Sequence, residues 1–279
     1  MFHRRIDSRP RRLAGALLAL LLSALPATAF DLNGFLPAAG EGQVALSVTA
    51  EGYDQFWVGE TKVSDPGVGE VELTSQSLWF QYGLAERFAL VGSVAHVDAD
   101  SDGLAGFGEQ DLQDLAVLLE MRLLESGPHS VVEAAGVRTP LGDYEDDLPV
   151  DVGDGTTDAL LRLVYLLRAG GFYFSQQVGH DLRGGDAPNG WPLFTEIGYT
   201  FGRVTVNGFL SWQITDDGTD IGDPGFTFPS NREEYQRVGA KVYARVSERF
   251  GLSLVAFDTL DGRNTGETSG FSAGLSLRF

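Results

Sequence analysis

From residue 43 onward the chain is a succession of segments in which apolar and polar positions alternate. That period of two marks strands with two unlike faces. In 203–214, Val204, Val206, Gly208, Leu210, Trp212 and Ile214 share one face; Arg203, Thr205, Asn207, Phe209, Ser211 and Gln213 share the other. In 236–246, Gln236, Val238, Ala240, Val242, Ala244 and Val246 oppose Tyr235, Arg237, Gly239, Lys241, Tyr243 and Arg245. In 158–168, Leu161, Leu163, Tyr165 and Leu167 alternate with Arg162, Val164, Leu166 and Arg168. The chain ends with Phe271, Ala273, Leu275, Leu277 and Phe279 on one face and Ser272, Gly274, Ser276 and Arg278 on the other. The pattern predicts strands near 43–57, 70–82, 87–98, 111–124, 129–138, 157–168, 172–183, 192–201, 203–214, 233–246, 249–259 and 268–279. The faces of 87–98, 129–138 and 249–259 do not phase cleanly.

The connections sort into two kinds. Those at 84–87, 125–128, 169–171, 202–203 and 247–249 are short. Those at 58–69, 98–110, 139–156, 184–191, 215–232 and 260–267 are longer and rich in Asp and Gly. Short turns at one end and long loops at the other distinguish an outer-membrane barrel from a soluble sandwich. The sequence therefore predicts an all-β fold, a transmembrane antiparallel up-and-down β-barrel of about twelve strands. A charge on the lipid face costs about 2–4 kcal/mol near midplane, so the charged set is assigned to the lumen. Tyr82, Phe88, Phe172, Phe201, Phe250 and Phe279 fall at the short-turn end, where an aromatic girdle belongs. The closing strand, with Phe271, Leu275, Leu277 and the terminal Phe279, resembles the signal read by the bacterial barrel-assembly machinery.

The N-terminal end adds a location. Arg4, Arg5, Arg9, Arg11 and Arg12 precede an apolar run from Leu13 to Leu25, and Ala27-Thr-Ala29 supplies small residues for cleavage. This predicts a secretion signal over 1–29 and a mature chain beginning at Phe30. The run is too short for a spanning helix of about 20 residues. Residues 30–42 are expected as a short periplasmic segment with room to tuck into the mouth of the barrel, and 43–279 as one barrel domain. The expected setting is the outer membrane of a Gram-negative bacterium, in contact with outer-membrane lipid and lipopolysaccharide. The chain has no Cys, hence no disulfide framework. Its formal net charge is −19, and the predicted signal contains five Arg and one Asp, so the remainder is more acidic still. Such acidity excludes nucleic acid as a partner. A hydrophobic content of 43% argues against disorder.

Several residues carry candidate chemistry. Arg237, Lys241 and Arg245 recur every fourth position on the inner face, roughly 13 Å per step. Arg162, Arg168 and Arg278 add positive charge, and Glu120 and Glu196 are candidate counter-charges. Two readings stand side by side: a basic ladder guiding anionic solutes, and an internal salt-bridge network filling the barrel. Phe209, Tyr235, Tyr243 and Trp79 also fall on the lumenal side, where they would suit a hydrophobic or aromatic solute or simply pack. No cofactor is expected apart from a candidate calcium ion. Asp98, Asp100, Asp102 and Glu109 match the spacing of a calcium loop, although strands rather than helices flank it. The alternative is a solvated acidic loop. Outside the predicted signal, the His residues are His96, His129 and His180, and the motifs of outer-membrane phospholipases and proteases are absent or only loosely echoed, so no catalytic residue is assigned.

The chain also resembles the outer-membrane proteins grouped under the meta-pathway of phenol degradation. The resemblance rests on the order and spacing of Phe56-Trp-Val-Gly-Glu60, Tyr82-Gly-Leu-Ala-Glu-Arg-Phe88, Leu112-Gln-Asp-Leu115, Thr139-Pro-Leu-Gly-Asp-Tyr144 and Asn264-Thr-Gly-Glu267. The family's usual Pro-Thr-Gly-Asp loop reads Pro140-Leu141-Gly142-Asp143 here. The resemblance implies a barrel passing hydrophobic or aromatic compounds; it assigns no substrate-contacting residue. The expectation is a channel for small-molecule solutes, with a structural or cation-binding surface barrel as the alternative and an outer-membrane hydrolase a further one.

Overall fold

The computed structural model describes residues 31–64, 67, 69–103, 108–145, 150, 152–153 and 155–279. The predicted signal, 1–29, and Phe30 lie outside them. In chain order the strands are β1 (Gly42–Tyr53), β2 (Phe56–Val58), β3 (Thr61–Val63), β4 (Val71–Ala85), β5 (Phe88–Ser101), β6 (Gly108–Leu112), β7 (Leu115–Ser126) and β8 (His129–Thr139). They continue as β9 (Asp158–Ala169), β10 (Phe172–Leu182), β11 (Gly190–Phe201), β12 (Val204–Thr215), β13 (Glu234–Arg245), β14 (Phe250–Arg263) and β15 (Ser269–Arg278). β2 and β3 form a small hairpin within the first long loop. β6 and β7 are two halves of one barrel strand, since β5 pairs with β6 near one end and with β7 near the other. The result is a closed antiparallel barrel of 12 strands. Its seam joins the first strand to the last, from Gln43 opposite Arg278 to Gly52 opposite Ser269.

The distribution of side chains is the reverse of a water-soluble fold. Glu120, Arg162, Gln177 and Glu196 are buried, whereas Leu46 is 59% exposed, Leu163 52% and Ile197 50%. A continuous exposed belt of Leu, Val and Ile is stable only against hydrocarbon. The aromatics Tyr82, Phe88, Phe172, Phe201, Phe250 and Phe279 are all exposed at the short-turn end, and Tyr82 stacks on Phe279 across the seam. Tight turns there use Gly127, Gly170 and Gly202 at φ 57°, 63° and 67°. A two-residue hairpin turn needs such positive φ values, which Gly adopts without strain.

Strand boundaries depart from the sequence reading at the long-loop end. β5 runs on to Ser101 and β6 begins at Gly108, so Asp98 and Asp100 lie in a strand rather than a loop. β1 stops at Tyr53, before the β2–β3 hairpin, and β14 extends to Arg263. In β5 and β14 the extra residues pair above the apolar belt, where polar side chains on both faces erase the alternation used to find strand ends.

Residues 31–41 do not stay beneath the barrel. Gly40 N–H donates to Gly83 O at the short-turn rim. From there the segment runs inward, and Leu32 packs among Val91, Ala116, Leu118, Val132, Ala134, Leu160 and Val164. These wall residues belong to β5, β7, β8 and β9, so their inner face is an apolar core of its own.

Candidate functional site: the barrel lumen

The lumen has two unlike walls. The first, on β5 and β7–β9, is aliphatic and carries the N-terminal segment. Leu32 is 4% exposed, and its N–H donates to Gln177 Oε1 at 2.8 Å. Gly34, at φ 78°, passes so close to the wall that a Cβ would sit 3.2 Å from Leu166 Cβ. Phe35 meets the edge of Tyr173 with ring centroids 5.2 Å apart. Its carbonyl accepts from Gln81 Nε2 at 3.0 Å, the same nitrogen that donates to Glu120 Oε2 at 2.6 Å. Full burial of one Leu contributes about 1.5–3 kcal/mol, so Leu32 is the main apolar anchor of this segment.

The second wall, on β10–β15, is aromatic. Phe209 lies opposite Gly239 on the neighbouring strand, Phe257 opposite Gly270, and Tyr173 opposite Gly198. Tyr243 covers Gly251. At each of these glycines an added Cβ would overlap the ring. The absent side chain is therefore what lets each ring lie flat along the wall instead of standing into the bore. Polar partners hold one of them: Tyr173 O–H donates to Glu196 Oε1 at 2.6 Å and accepts from Asn207 Nδ2 at 2.8 Å. A buried carboxylate without such donors would be costly.

The basic residues divide. Arg237, Lys241 and Arg245 all face inward on β13, through the register Ser211 to Arg237 and Asn207 to Lys241 with inward-facing β12. None of the three forms an ion pair with a described residue. Arg237 instead lies 4.1 Å from the Tyr235 ring centroid and 5.8 Å from that of Phe257. Arg278 sits 5.6 Å from the centroid of Tyr243. Arg162 pairs with Asp181, and Arg168 reaches Glu125 at 3.1 Å at the short-turn rim. Glu120 and Glu196, considered from sequence as counter-charges, bind Gln81 and Tyr173. The partners that do neutralise charge near the long-loop end are Asp181 and Asp158, the latter 2.5 Å from Arg138. Asp158 lies at the first position of β9 and Asp181 near the end of β10. Both fall inside predicted strands, but each pairs with an arginine on a neighbouring strand, and the register that joins them is not written in the sequence.

The calcium spacing does not converge. Ala99 is the partner of Glu109, so Glu109 shares the inward face while Asp98 and Asp100 point outward. Asp102 turns back to accept from Glu70 N–H at 2.7 Å. Among the described residues no three His, Asp or Glu side chains form a group that could hold a metal ion. The histidines lie on the outer surface: His129 stacks on Tyr165, and His180 on Trp191 at 4.1 Å. His96, facing Gln76 and Leu112 on the adjacent strands, points the same way.

At the long-loop end the loops are tied by Asn264, which is 1% exposed and has φ 49°. Its Oδ1 accepts from Gly59 N–H at 2.7 Å and Ile221 N–H at 3.2 Å. Its Nδ2 donates to Asp220 Oδ1 at 2.8 Å and Arg232 O at 3.1 Å. Three loops thus meet on one amide whose donors and acceptors are all used. Arg263 grips Asp220 at 2.5 Å and Glu60 at 2.8 Å. Its guanidinium, with help from Asn264, holds the Asp220 carboxyl below the ordinary carboxylate range. Beneath this clasp lies a cavity of ≈ 200 Å³ bordered by Glu51, Tyr53, Phe56, Phe228, Asn231 and Arg237.

Among solved structures, the chain is similar to the COG4313 outer membrane channel from Pseudomonas putida F1. The TM-score is 0.72 at 14% identity, covering 91% of this chain and 100% of that one. It is similar also to the KdgM porin in complex with disordered oligogalacturonate, with TM-score 0.52, 10% identity, and 84% and 99% coverage. The translocator domain of the autotransporter NalP from Neisseria meningitidis gives TM-score 0.52, 10% identity, and 96% of both chains. At these identities the likeness establishes an outer-membrane β-barrel fold. No curated protein sequence matches the chain. A family model, described as "Putative MetA-pathway of phenol degradation", matches residues 40–275, from the rim before β1 into the closing strand, and the chain belongs to that family of outer-membrane barrels.

Proposed function

We propose that this protein is an outer-membrane channel that passes small hydrophobic or aromatic molecules. The observation that carries the reading is the wall of rings laid flat on glycines, Phe209 on Gly239, Phe257 on Gly270 and Tyr243 on Gly251. Such a wall presents ring faces along the path without narrowing it, and it opposes an aliphatic wall. A solute with apolar surface gains by leaving water for that lining, whereas a sugar does not. Twelve strands leave a bore wider than the eight-stranded barrel that side chains just fill. In the orientation of this class the short-turn end, with Phe279, faces the periplasm. There Phe271, Leu275, Leu277 and Phe279 present the outward row expected of a substrate of the barrel-assembly machinery.

Proteoliposome uptake tests the reading. Toluene or benzyl alcohol should enter vesicles containing the protein faster than empty ones, with little uptake of sucrose. Equal rates in both kinds of vesicle would remove the proposal. A second reading, favoured by Lys241 and Arg245, which form no ion pair among the described residues, is that the bore prefers anions among charged solutes. Reversal potentials in a salt gradient should then show anion selectivity that Lys241→Glu reduces; unchanged selectivity would dismiss it.

A further inference from the structure

We propose that the short-turn rim of the lumen is a docking surface for a periplasmic protein that presents carboxylates, and that arginines set against one another across the strands receive it. One step beyond the register Phe88 to Met121, Arg87 stands opposite Arg122, and Arg122 N–H donates to Arg87 O at 2.8 Å. The same step beyond Val204 to Ala244 sets Arg203 opposite Arg245, with Arg245 N–H donating to Arg203 O at 2.8 Å. Beyond Phe250 to Leu277 it sets Arg249 opposite Arg278, with Arg278 N–H donating to Arg249 O at 2.7 Å. Like charges directly opposite each other, with Cβ atoms about 4.5–5.5 Å apart, destabilise a sheet. Arg122 has an acid within reach, Glu125 at 2.9 Å. Arg87, Arg203, Arg245, Arg249 and Arg278 form no ion pair with a described residue. Arg278 touches only uncharged groups, Gln43 Oε1 at 3.3 Å and the Tyr243 ring at 5.6 Å.

Composition sharpens the contrast. The chain has 39 acidic and 20 basic residues, yet at this rim these arginines and Arg168 are met only by Glu41, Glu86, Glu125 and Glu248. None of the cations there is Lys. A guanidinium is more weakly hydrated than an ammonium and grips a carboxylate through two parallel bonds, which suits a charge that a partner is to cover. Parity and position then choose the occupant. Phe88, Phe250 and Leu277 are exposed on the lipid face, so the arginines one residue away fall on the lumenal side, turned from lipid headgroups. The pair joining β5 to β7 and the pair joining β12 to β13 lie half the ring of strands apart. A single small anion reaches one pair and leaves the others unmatched, whereas a protein face as wide as the mouth meets them together. In barrels of this class that end faces the periplasm.

The inference rests on the orientation of the barrel and not on passage of solute, so binding is measured without transport. A fluorescently labelled decaglutamate peptide is titrated with the purified full-length protein in nonionic detergent at low salt, and its anisotropy is read. Decaglutamate should bind, more weakly as salt is added, and decaglutamine should not. Neither inorganic phosphate nor glycerophosphoglycerol, standing for a lipid headgroup, should displace it at equal charge. Arg87→Gln, Arg203→Gln and Arg249→Gln together break every pair and should weaken binding about 3- to 100-fold, the product of three exposed ion pairs. The same triple variant should resist urea at least as well as the unaltered protein at low salt, because it relieves like-charge pairs. Lower resistance would show that the arginines hold the rim itself and would overturn the proposal. So would binding of neither peptide, equal binding of both, displacement by either small anion, or binding that survives the triple variant. Heat-modifiable gel migration establishes that the variant is folded; if it is not, Arg203→Gln alone is measured, with about 1.5- to 5-fold weakening expected and unchanged binding counting against the proposal. Failure of vesicle uptake with decaglutamate binding intact would remove the channel reading and leave this surface standing.

Discussion

Replacing Leu32 by Ala isolates what holds the N-terminal segment inside the barrel. Leu32 is 4% exposed and touches the aliphatic wall from Val91 to Val164. The substitution removes about three methylene equivalents at ~0.8 kcal/mol each. With a small residual void, the docked state loses about 2–3 kcal/mol relative to the released one. At 1.4 kcal/mol per tenfold, the docking equilibrium moves by about 30- to 150-fold. The hydrogen bonds to Gln177 and from Gln81 involve backbone groups of the segment, so they remain available. Single-channel recording in planar bilayers reads the shift directly. The unaltered protein should dwell mainly in a low-conductance state, and Leu32→Ala should add frequent openings to a higher level. Deleting residues 31–38 should make that level permanent. If both variants conduct as the unaltered protein does, the segment is not what limits the bore and the packing argument fails.

Three further outcomes follow from the same geometry. Tyr173→Phe strips Glu196 of its donor and Asn207 of its acceptor, so the barrel should unfold with about 1–3 kcal/mol less stability by heat or urea titration. Gly239→Ala should push the Phe209 ring off the wall and lower conductance, and adding Phe209→Ala should restore it. Asn264→Ala removes four hydrogen bonds at once, so the 216–233 loop should be cut faster by protease while the strands stay protected. Because the folded-state pKa of Asp220 is lowered, the clasp is intact above the ordinary carboxylate value. It should loosen as pH falls through the depressed one, with the same protease readout.

How much was legible in the sequence depended on what covers each face. Where a strand has lipid on one side and polar lumen on the other, alternation is clean, and 203–214 and 236–246 read out both faces. Segments 87–98 and 129–138 did not phase because Val91, Val132 and Ala134 face inward onto Leu32, leaving apolar residues on both sides. In 249–259, Val255 and Phe257 face inward in the same way, beside the aromatic wall. The lumenal positions of Arg237 and Tyr243 could be read from parity alone. The pairing of Arg162 with Asp181, the rings seated on glycines and the Asn264 clasp could not, since each joins residues on different strands or loops through the barrel's register. The calcium spacing is split for a related reason: a linear motif presumes a loop, whereas the paired strands β5 and β6 send Asp98 and Glu109 to opposite faces.

The placement of residues 31–41 constrains the order of events in assembly. They precede β1, yet they lie within the ring that the β1–β15 seam closes. Were the seam to form first, a chain bearing Leu32 and Phe35 would have to thread through a finished mouth and displace water from an apolar wall. The simpler sequence has the segment collapse onto β5 and β7–β9 while the sheet is still open. The last strand then arrives and shuts the cylinder around it. Residues 31–41 would in that case serve as the template on which the barrel acquires its curvature.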